Sequence, residues 1–267
     1  MSENKFVKLK NRGLLKISGP DRYSFLQGLI TNDVEKLQTQ PSLYACLLTP
    51  NGKFLFDFIL FERNDTIHID CEGGDRAAAL VQKLTMYKLR ANVTIEMDPD
   101  IAVFSILDEE NQSPLTAGLI PDPRHEKMGY RTYTKPHNSA EINFDAWDEQ
   151  RIRLSIPDGS RDMIPEKSTL LECNIDRLHG ISWDKGCYMG QELTARMNYR
   201  ALIKKSLQAI DFKHENPPTS GEALTLNNKV IGDMRSSCGS IGLAMLRHEY
   251  LDNKEELPFK LLSSDVR

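Results

Sequence analysis

The residues best suited to chemistry lie together in one stretch, Lys185-Gly186-Cys187-Tyr188-Met189-Gly190-Gln191-Glu192. It sets one thiol between two glycines, with a cation two residues before it and an amide and a carboxylate after it. Glycine tolerates positive φ and lets other groups come close to the backbone, so this turn can present Cys187 rather than bury it. Two readings of Cys187 stand side by side. As a free cysteine it is a small core-filling side chain. As a reactive or ligating thiol it has a pKa lowered by Lys185 and by the helix N-terminus expected from Gly190 onward. In that helix Gln191 and Glu192 occupy the first turn, where a carboxylate favours the dipole, and Leu193 and Met197 form an apolar stripe. Trp183 and Tyr188 supply aromatic walls on either side.

The rest of the chain restricts what this thiol can do. Five cysteines, Cys46, Cys71, Cys173, Cys187 and Cys238, are an odd number without any C-x-x-C, which argues against a disulfide framework and against a locally encoded zinc or iron–sulfur site. Cys46, Cys71 and Cys173 read as core, and Cys238, between Ser237 and Gly239, reads as a turn residue. The six histidines are scattered without metal-ligand spacing. A net charge of −4 argues against general nucleic-acid binding, so no direct nucleic-acid partner is expected. No apolar run reaches the roughly 20 residues of a membrane span. The first residues, Met1-Ser2-Glu3-Asn4-Lys5, show neither a signal core nor a transit pattern, and the expected location is cytoplasmic.

The elements that must position the thiol follow from periodicity. Leu14–Ile17 reads as a strand. Ser18-Gly19-Pro20-Asp21 then opens a helix whose apolar face is Leu26, Leu29 and Ile30. Gln27, Thr31, Asn32 and Asp33 either cap that helix or line a pocket. Two strand-like runs, 43–49 and 53–62, flank Pro50-Asn51-Gly52, a hairpin signal. The second run is apolar on both faces except for Asp57, which is either a hydrogen-bonded strand carboxylate or a group aimed into a ligand cavity. A helix from Gly73-Gly74-Asp75 to about Lys88 uses Ala78, Val81, Leu84 and Met86 as apolar area, and a second helix runs from Asp145 to Ile156. Short strands are expected over 66–71, 92–97, 101–107 and 129–133. Beyond residue 200, strand-like runs at 203–212, 224–226, 229–234 and 241–247 suggest a small antiparallel barrel. The fold class is α+β, mostly antiparallel sheets with flanking helices. The expected domains are 1–200 and 201–267.

The signature K-G-C-Y-x-G-Q-E with Ala195-Arg196 does not stand alone. Ser18-Gly19-Pro20-Asp21 with Phe25-Leu26-Gln27-Gly28 and Thr31-Asn32-Asp33, Leu48-Thr49-Pro50-Asn51-Gly52-Lys53, and Gly242-Leu243-Ala244-Met245-Leu246-Arg247 accompany it. In these segments, spread over nearly the whole chain, the sequence resembles the YgfZ-type folate-binding proteins. These are relatives of the glycine-cleavage T-protein that act in iron–sulfur protein maturation. The resemblance implies a T-protein-like folate domain followed by a β-barrel, and tetrahydrofolate as cofactor with no tightly bound metal. It implies iron–sulfur client or carrier proteins as partners, radical S-adenosylmethionine enzymes among them. It implies a pterin contact at Glu172, whose carboxylate can meet the ring's donors in a bidentate way. Asn174, Gln27, Thr31, Asn32, Tyr188, Gln191 and Glu192 are further candidate contacts, and Arg196, Arg200 and Lys204 form a cationic stripe for the glutamate tail if they share a helix face. Cys187, Lys185 and Asp57 are the candidate reacting groups. T-proteins carry two adjacent acids where this chain has Phe56-Asp57, a departure that weighs against aminomethyl transfer. A folate-dependent one-carbon transferase or demethylase is the alternative, and a folate-sensing scaffold is a third. A single thiol cannot hold a cluster that normally takes four thiolates, so Cys187 must act with another molecule's ligands.

Overall fold

The computed structural model describes residues 5–98, 101–107, 118–137, 139–200, 203–213, 215–251 and 256–262. Strand β1 (Lys5–Lys8) and strand β2 (Arg12–Ser18) lead into the short helix α1 (Arg22–Gln27), followed by the hairpin of β3 (Leu43–Leu48) and β4 (Phe54–Arg63). Strand β5 (Thr66–Glu72), helix α2 (Asp75–Lys88) and strand β6 (Thr94–Asp98) follow. Five of these strands form an antiparallel sheet of order β3-β4-β5-β2-β6. β4 is interior, and its first eight residues are buried, which is why its sequence is apolar on both faces. Phe56, Phe58 and Leu60 pack with Leu80 and Leu84 of α2, whereas Ile59 faces a second core with Tyr44 and Trp147.

Strands β7 (Phe104–Leu107), β8 (Ile120–Pro121), β9 (Tyr130–Thr132) and β10 (Ala140–Glu141) join β1 in a second sheet of order β10-β1-β7-β9-β8. The β1–β10 pair is parallel and the others antiparallel. Helices α3 (Phe144–Arg153) and α4 (Gln191–Tyr199) precede the third sheet, made by β11 (Lys205–Asp211), β12 (Ala223–Leu226), β13 (Lys229–Cys238), β14 (Ile241–Arg247) and β15 (Lys260–Leu261). Its order is β12-β13-β14-β11-β15, an antiparallel half-barrel. The fold is α+β. One core runs through it: Leu207, Ala209, Leu243 and Met245 of the third sheet pack in the same cluster as Tyr44, Cys46 and Trp147. Among the described residues no helix is long and apolar enough to cross a membrane.

Several boundaries differ from those read in the sequence. α1 is only six residues long, and Leu29 and Ile30 lie beyond its end. The buried face of α2 is Ala77, Leu80 and Leu84, one residue out of phase with Ala78, while Met86 is exposed. α3 stops at Arg153 rather than Ile156, because Ser155 takes φ 55. The Ser155 N–H then bonds the Ile152 carbonyl and the Ile156 N–H the Arg151 carbonyl, a Schellman stop with serine in the place glycine usually fills. β13 continues to Cys238, so that residue ends a strand and the turn is confined to the residues after it.

A buried ionic network ties α3 to the third sheet. Arg151 is fully buried and donates to Asp148, to Asp162 at 2.6 Å and to the Ser236 hydroxyl at 2.6 Å. Asp162 also accepts from the Ser236 N–H at 2.9 Å and from the Asp158 N–H at 2.8 Å. A second network joins Arg12 and Arg131 to Asp70, and Arg124 to Asp122, all buried. Burial alone would raise the Asp122 pKa, but the two guanidiniums hold it at about 2.

Candidate functional site

The Cys187 segment is held by the end of α1 and by the β3–β4 hairpin. After α1 the chain turns at Gly28, and Thr31 pairs with Cys46 of β3: its N–H donates to the Cys46 carbonyl and its hydroxyl oxygen accepts the Cys46 N–H. The Thr31 hydroxyl donates to the Gly180 carbonyl at 2.6 Å, and the Ser182 N–H donates to the Thr31 carbonyl. Asn32 spends its amide on the carbonyls of Tyr44 and His179, both at 2.8 Å, and its oxygen accepts from the Asp33 N–H. Gln27 closes on Asp33 and on the Val34 N–H. Thr31, Asn32 and Gln27 thus build the platform on which residues 179–182 lie, and their side-chain groups are spent on it.

Lys185 reaches down into this platform. Its Nζ donates to the carbonyls of Gln27 (2.7 Å), the last residue of α1, and of Ile30 (2.9 Å) and Asn32 (2.7 Å) in the segment that follows the helix. All three ammonium protons are used, so none remains to stabilise a Cys187 thiolate; Lys185 is a clamp on the loop, which corrects the sequence reading of its role. Burial pulls its pKa down to about 8, with Asp33 opposing the fall and Lys36 adding to it. Two residues after the thiol the chain is pinned again. The Met189 N–H donates to the Gly28 carbonyl at 3.0 Å, and the buried Tyr188 ring lies 5.3 Å from the Lys185 ammonium. Burial pushes the Tyr188 phenol up to about 12.

Lys185→Met is expected to leave three carbonyls short of a donor and to cost about 2 kcal/mol, read by urea denaturation. The pH dependence has a definite sign. The folded pKa of about 8 lies below the ordinary 10.5, so across that window the unfolded chain binds the extra proton. The stability contributed by this group therefore rises with pH from 8 towards 10.5. The gap between wild type and Lys185→Met should widen from neutral pH to the alkaline end of the window. A constant gap would show that Lys185 titrates normally.

Gly190 closes the loop against the hairpin. It has φ 79, and a Cβ there would fall 2.5 Å from the Thr49 carbonyl oxygen and 3.0 Å from the Gly52 Cα. Gly52 in turn has φ 77 and lies against Leu193 and the Gly190 carbonyl. The PNG and GQE motifs are thus two halves of one backbone contact. Gly190→Ala is expected to destabilise by about 2 kcal/mol or more through strain and collision, measured by thermal unfolding. Gly186, by contrast, has open space where a Cβ would stand.

Between these two anchors Gly186 and Cys187 are exposed. Cys187 is the one exposed cysteine of the five. Cys46, Cys71 and Cys173 are buried, and burial raises each thiol pKa; Cys238 is half-buried, its Sγ donating to the Asp145 carbonyl. α4 starts only at Gln191, four residues on, so Cys187 does not sit at the helix end.

The other expected residues do not share one cavity. Asp57 is 3% exposed and accepts the Tyr44 hydroxyl at 2.9 Å. Burial raises its pKa against the pull of Arg12 and Arg124. It is a hydrogen-bonded strand carboxylate. Asn174, at φ 63, donates to the Leu207 carbonyl and anchors β11. Glu172 accepts the Thr169 hydroxyl and lines a cavity of about 750 Å³ with Ile203, Lys204, Lys205, Arg247, His248 and Glu249. Glu192 and Arg196 line a smaller hollow of about 260 Å³ with Pro50, Asn51 and Leu193. Gln191 is half-buried in the first turn of α4. Arg200 is the exposed C-cap of α4 and Lys204 lies beyond it, so Arg196, Arg200 and Lys204 share no helix face. A further cavity of about 560 Å³, absent from the sequence reading, brings Lys36, His179 and Trp183 together. Their separation in the chain left no local signal.

Known proteins agree with this architecture. A family model described as the CAF17 C-terminal beta-barrel domain matches residues 204–266. The solved structure of glycine cleavage system aminomethyltransferase T from Bartonella henselae superposes with a TM-score of 0.70, covering 93% of this chain and 79% of that one at 12% identity, a likeness of fold. The human protein named iron–sulfur cluster assembly factor IBA57, mitochondrial, is 32% identical over 91% of this chain and 77% of its own length. The mouse protein of the same name is 33% identical with the same coverage. This chain belongs to the IBA57 family of iron–sulfur cluster assembly factors.

Proposed function

We propose that this protein assists the assembly or repair of iron–sulfur clusters in client proteins, with Cys187 contributing one thiolate to a cluster whose remaining ligands come from a partner. The observation that carries this reading is the Cys187 loop: a thiol exposed to solvent between two anchored ends, while the other four cysteines are partly or wholly buried. One thiolate cannot hold a cluster, but it can complete the ligand set of another protein's. On binding, the thiol gives its proton to solvent and its sulfur bonds iron. The test is cluster retention by a complex of this protein with a cluster-loaded carrier, compared between wild type and Cys187→Ser.

Tetrahydrofolate has a place in this proposal at the Glu172 cavity. A pterin offers amide-like donors to the Glu172 carboxylate, and the glutamate tail suits Lys204, Lys205 and Arg247 on the same wall. Gln27, Thr31, Asn32 and Asn174 support the fold instead of touching it. Whether folate acts there as reactant or as structural ligand does not alter the test. Calorimetry with tetrahydrofolate is expected to show binding that weakens about tenfold in Glu172→Ala. Equal affinity for both proteins would remove folate from this cavity.

A further inference from the structure

A hydrogen-bonded chain of three side chains backs the Glu172 cavity. Ser206 and Gln208 lie two residues apart on β11 and so share one face of it. Ser206 is 6% exposed, and its hydroxyl stands between two partners. The Gln208 amide donates to the Ser206 Oγ at 2.8 Å, and that Oγ lies 2.8 Å from the His248 Nε2. His248 directly follows β14, the strand that pairs with β11, and its N–H donates to the Lys204 carbonyl at 2.8 Å. The imidazole is thus fixed both through its backbone and through one ring nitrogen.

The chain decides which ring nitrogen holds the proton. A hydroxyl has one proton to give and two lone pairs to accept with, and the Gln208 amide occupies one of those pairs. Among the described residues the Ser206 proton finds one acceptor, the His248 Nε2. A neutral imidazole that accepts at Nε2 carries its proton at Nδ1. That Nδ1–H makes no hydrogen bond among the described residues, and the ring lines the cavity of about 750 Å³ beside Glu172, Lys204, Lys205 and Arg247. The cavity therefore holds one oriented N–H donor that the fold itself leaves unused.

The charge around the ring selects the acceptor. Three cations, Lys204, Lys205 and Arg247, face two carboxylates, Glu172 and Glu249. Glu249 lies 3.7 Å from Arg247, and Glu172 accepts the Thr169 hydroxyl. Lys204 and Lys205 form no ion pair among the described residues, so the surplus beside His248 is positive. We infer that His248 is a specificity-determining residue of this cavity: its Nδ1–H donates to a carboxylate oxygen of the ligand, and Ser206 and Gln208 are positioning residues that keep the proton on that nitrogen. This rests on the folate proposal for the source of the carboxylate, which is the glutamate tail.

The experiment separates the two ring nitrogens. An asparagine amide reaches the place of Nδ1, and a glutamine amide the place of Nε2. The full chain is titrated by calorimetry with γ-linked triglutamate, which has no pterin, and with tetrahydrofolate. His248→Asn keeps a donor where Nδ1 stood and should bind triglutamate within about threefold of wild type. His248→Gln keeps the Ser206 contact alone and should lose about tenfold. Ser206→Ala frees the tautomer and should fall between the two. A merely structural role predicts the reverse order, since His248→Asn is the variant that breaks the contact with Ser206. The inference is overturned if His248→Gln binds triglutamate as wild type does, if His248→Asn loses as much as His248→Gln, or if wild type does not bind triglutamate. Tetrahydrofolate on Glu172→Ala keeps the two proposals apart. If Glu172→Ala weakens tetrahydrofolate but the His248 variants fail to follow the stated order, the folate site stands and the role of His248 fails. If that order holds while Glu172→Ala binds tetrahydrofolate as wild type does, the role of His248 stands and the pterin contact fails.

Discussion

Cys187→Ser is expected to abolish retention of a cluster shared with a carrier while leaving the fold intact. The two halves of that result have separate causes. Serine keeps the size of the side chain but replaces a soft thiolate with a hydroxyl that stays protonated and bonds iron poorly. No other cysteine can substitute: three are buried with raised thiol pKa values, and Cys238 is half-buried with its Sγ on a carbonyl. The fold is indifferent because Cys187 is exposed and no hydrogen bond of its side chain is formed among the described residues, so the stability change should stay within about 0.5 kcal/mol. The measurement is the visible sulfur-to-iron absorption that co-elutes with the complex, alongside a urea curve. Cys238→Ser is the control and should retain the cluster. Equal absorption in both variants would end the ligand role proposed for Cys187.

The largest effect on stability is expected from Asp162→Ala. Asp162 is 1% exposed, and its two oxygens gather Arg151, the Ser236 N–H and hydroxyl, and the Asp158 N–H. Its loss leaves Arg151 charged and buried, with Asp148 as its remaining carboxylate partner. Breaking one side of a buried pair costs about 3–5 kcal/mol, read as a lowered urea midpoint. Removing both charges together, as Asp162→Leu with Arg151→Met, should recover a substantial part of that loss, because no buried charge is then left without its partner. If the single and the double variant are equally unstable, packing rather than charge explains the site. Because Ser236 lies in β13, the same variant should raise hydrogen exchange at that strand before it does so in β4.

The two variants mark different degrees of legibility. The hairpin at Asn51-Gly52, the two-faced strand β4, and α2 after Gly73-Gly74 stand where alternation and turn residues put them. Local signals of this kind fix an element within a residue or two. They miss short strands such as β1 and β10, whose pairing partners lie far along the chain, and the two-residue edge strand β8. They also misjudged the phase of α2 by one residue, since Ala77 and Ala78 are equivalent to a pattern and only the sheet beneath selects between them. Asp57 was readable as an anomaly but not as the acceptor of Tyr44, a residue on the adjacent strand.

By itself the sequence determined that one thiol lies between two glycines in a turn able to present it, that one thiol could not hold a cluster unaided, and to which family the long signature points; that Cys187 is exposed was decided by the fold. Both glycines were visible, but only coordinates show that Gly190 is required by φ and by contact with Gly52, while Gly186 meets no such constraint. Lys185 was visible too, as a cation beside a thiol; the folded chain turns it onto three carbonyls more than a hundred and fifty residues away in sequence. The same folding joins Lys36, His179 and Trp183 in one hollow. Residue types and local spacing specify what a side chain can do, whereas the long-range hydrogen bonds that decide what it does exist only once distant segments have packed together.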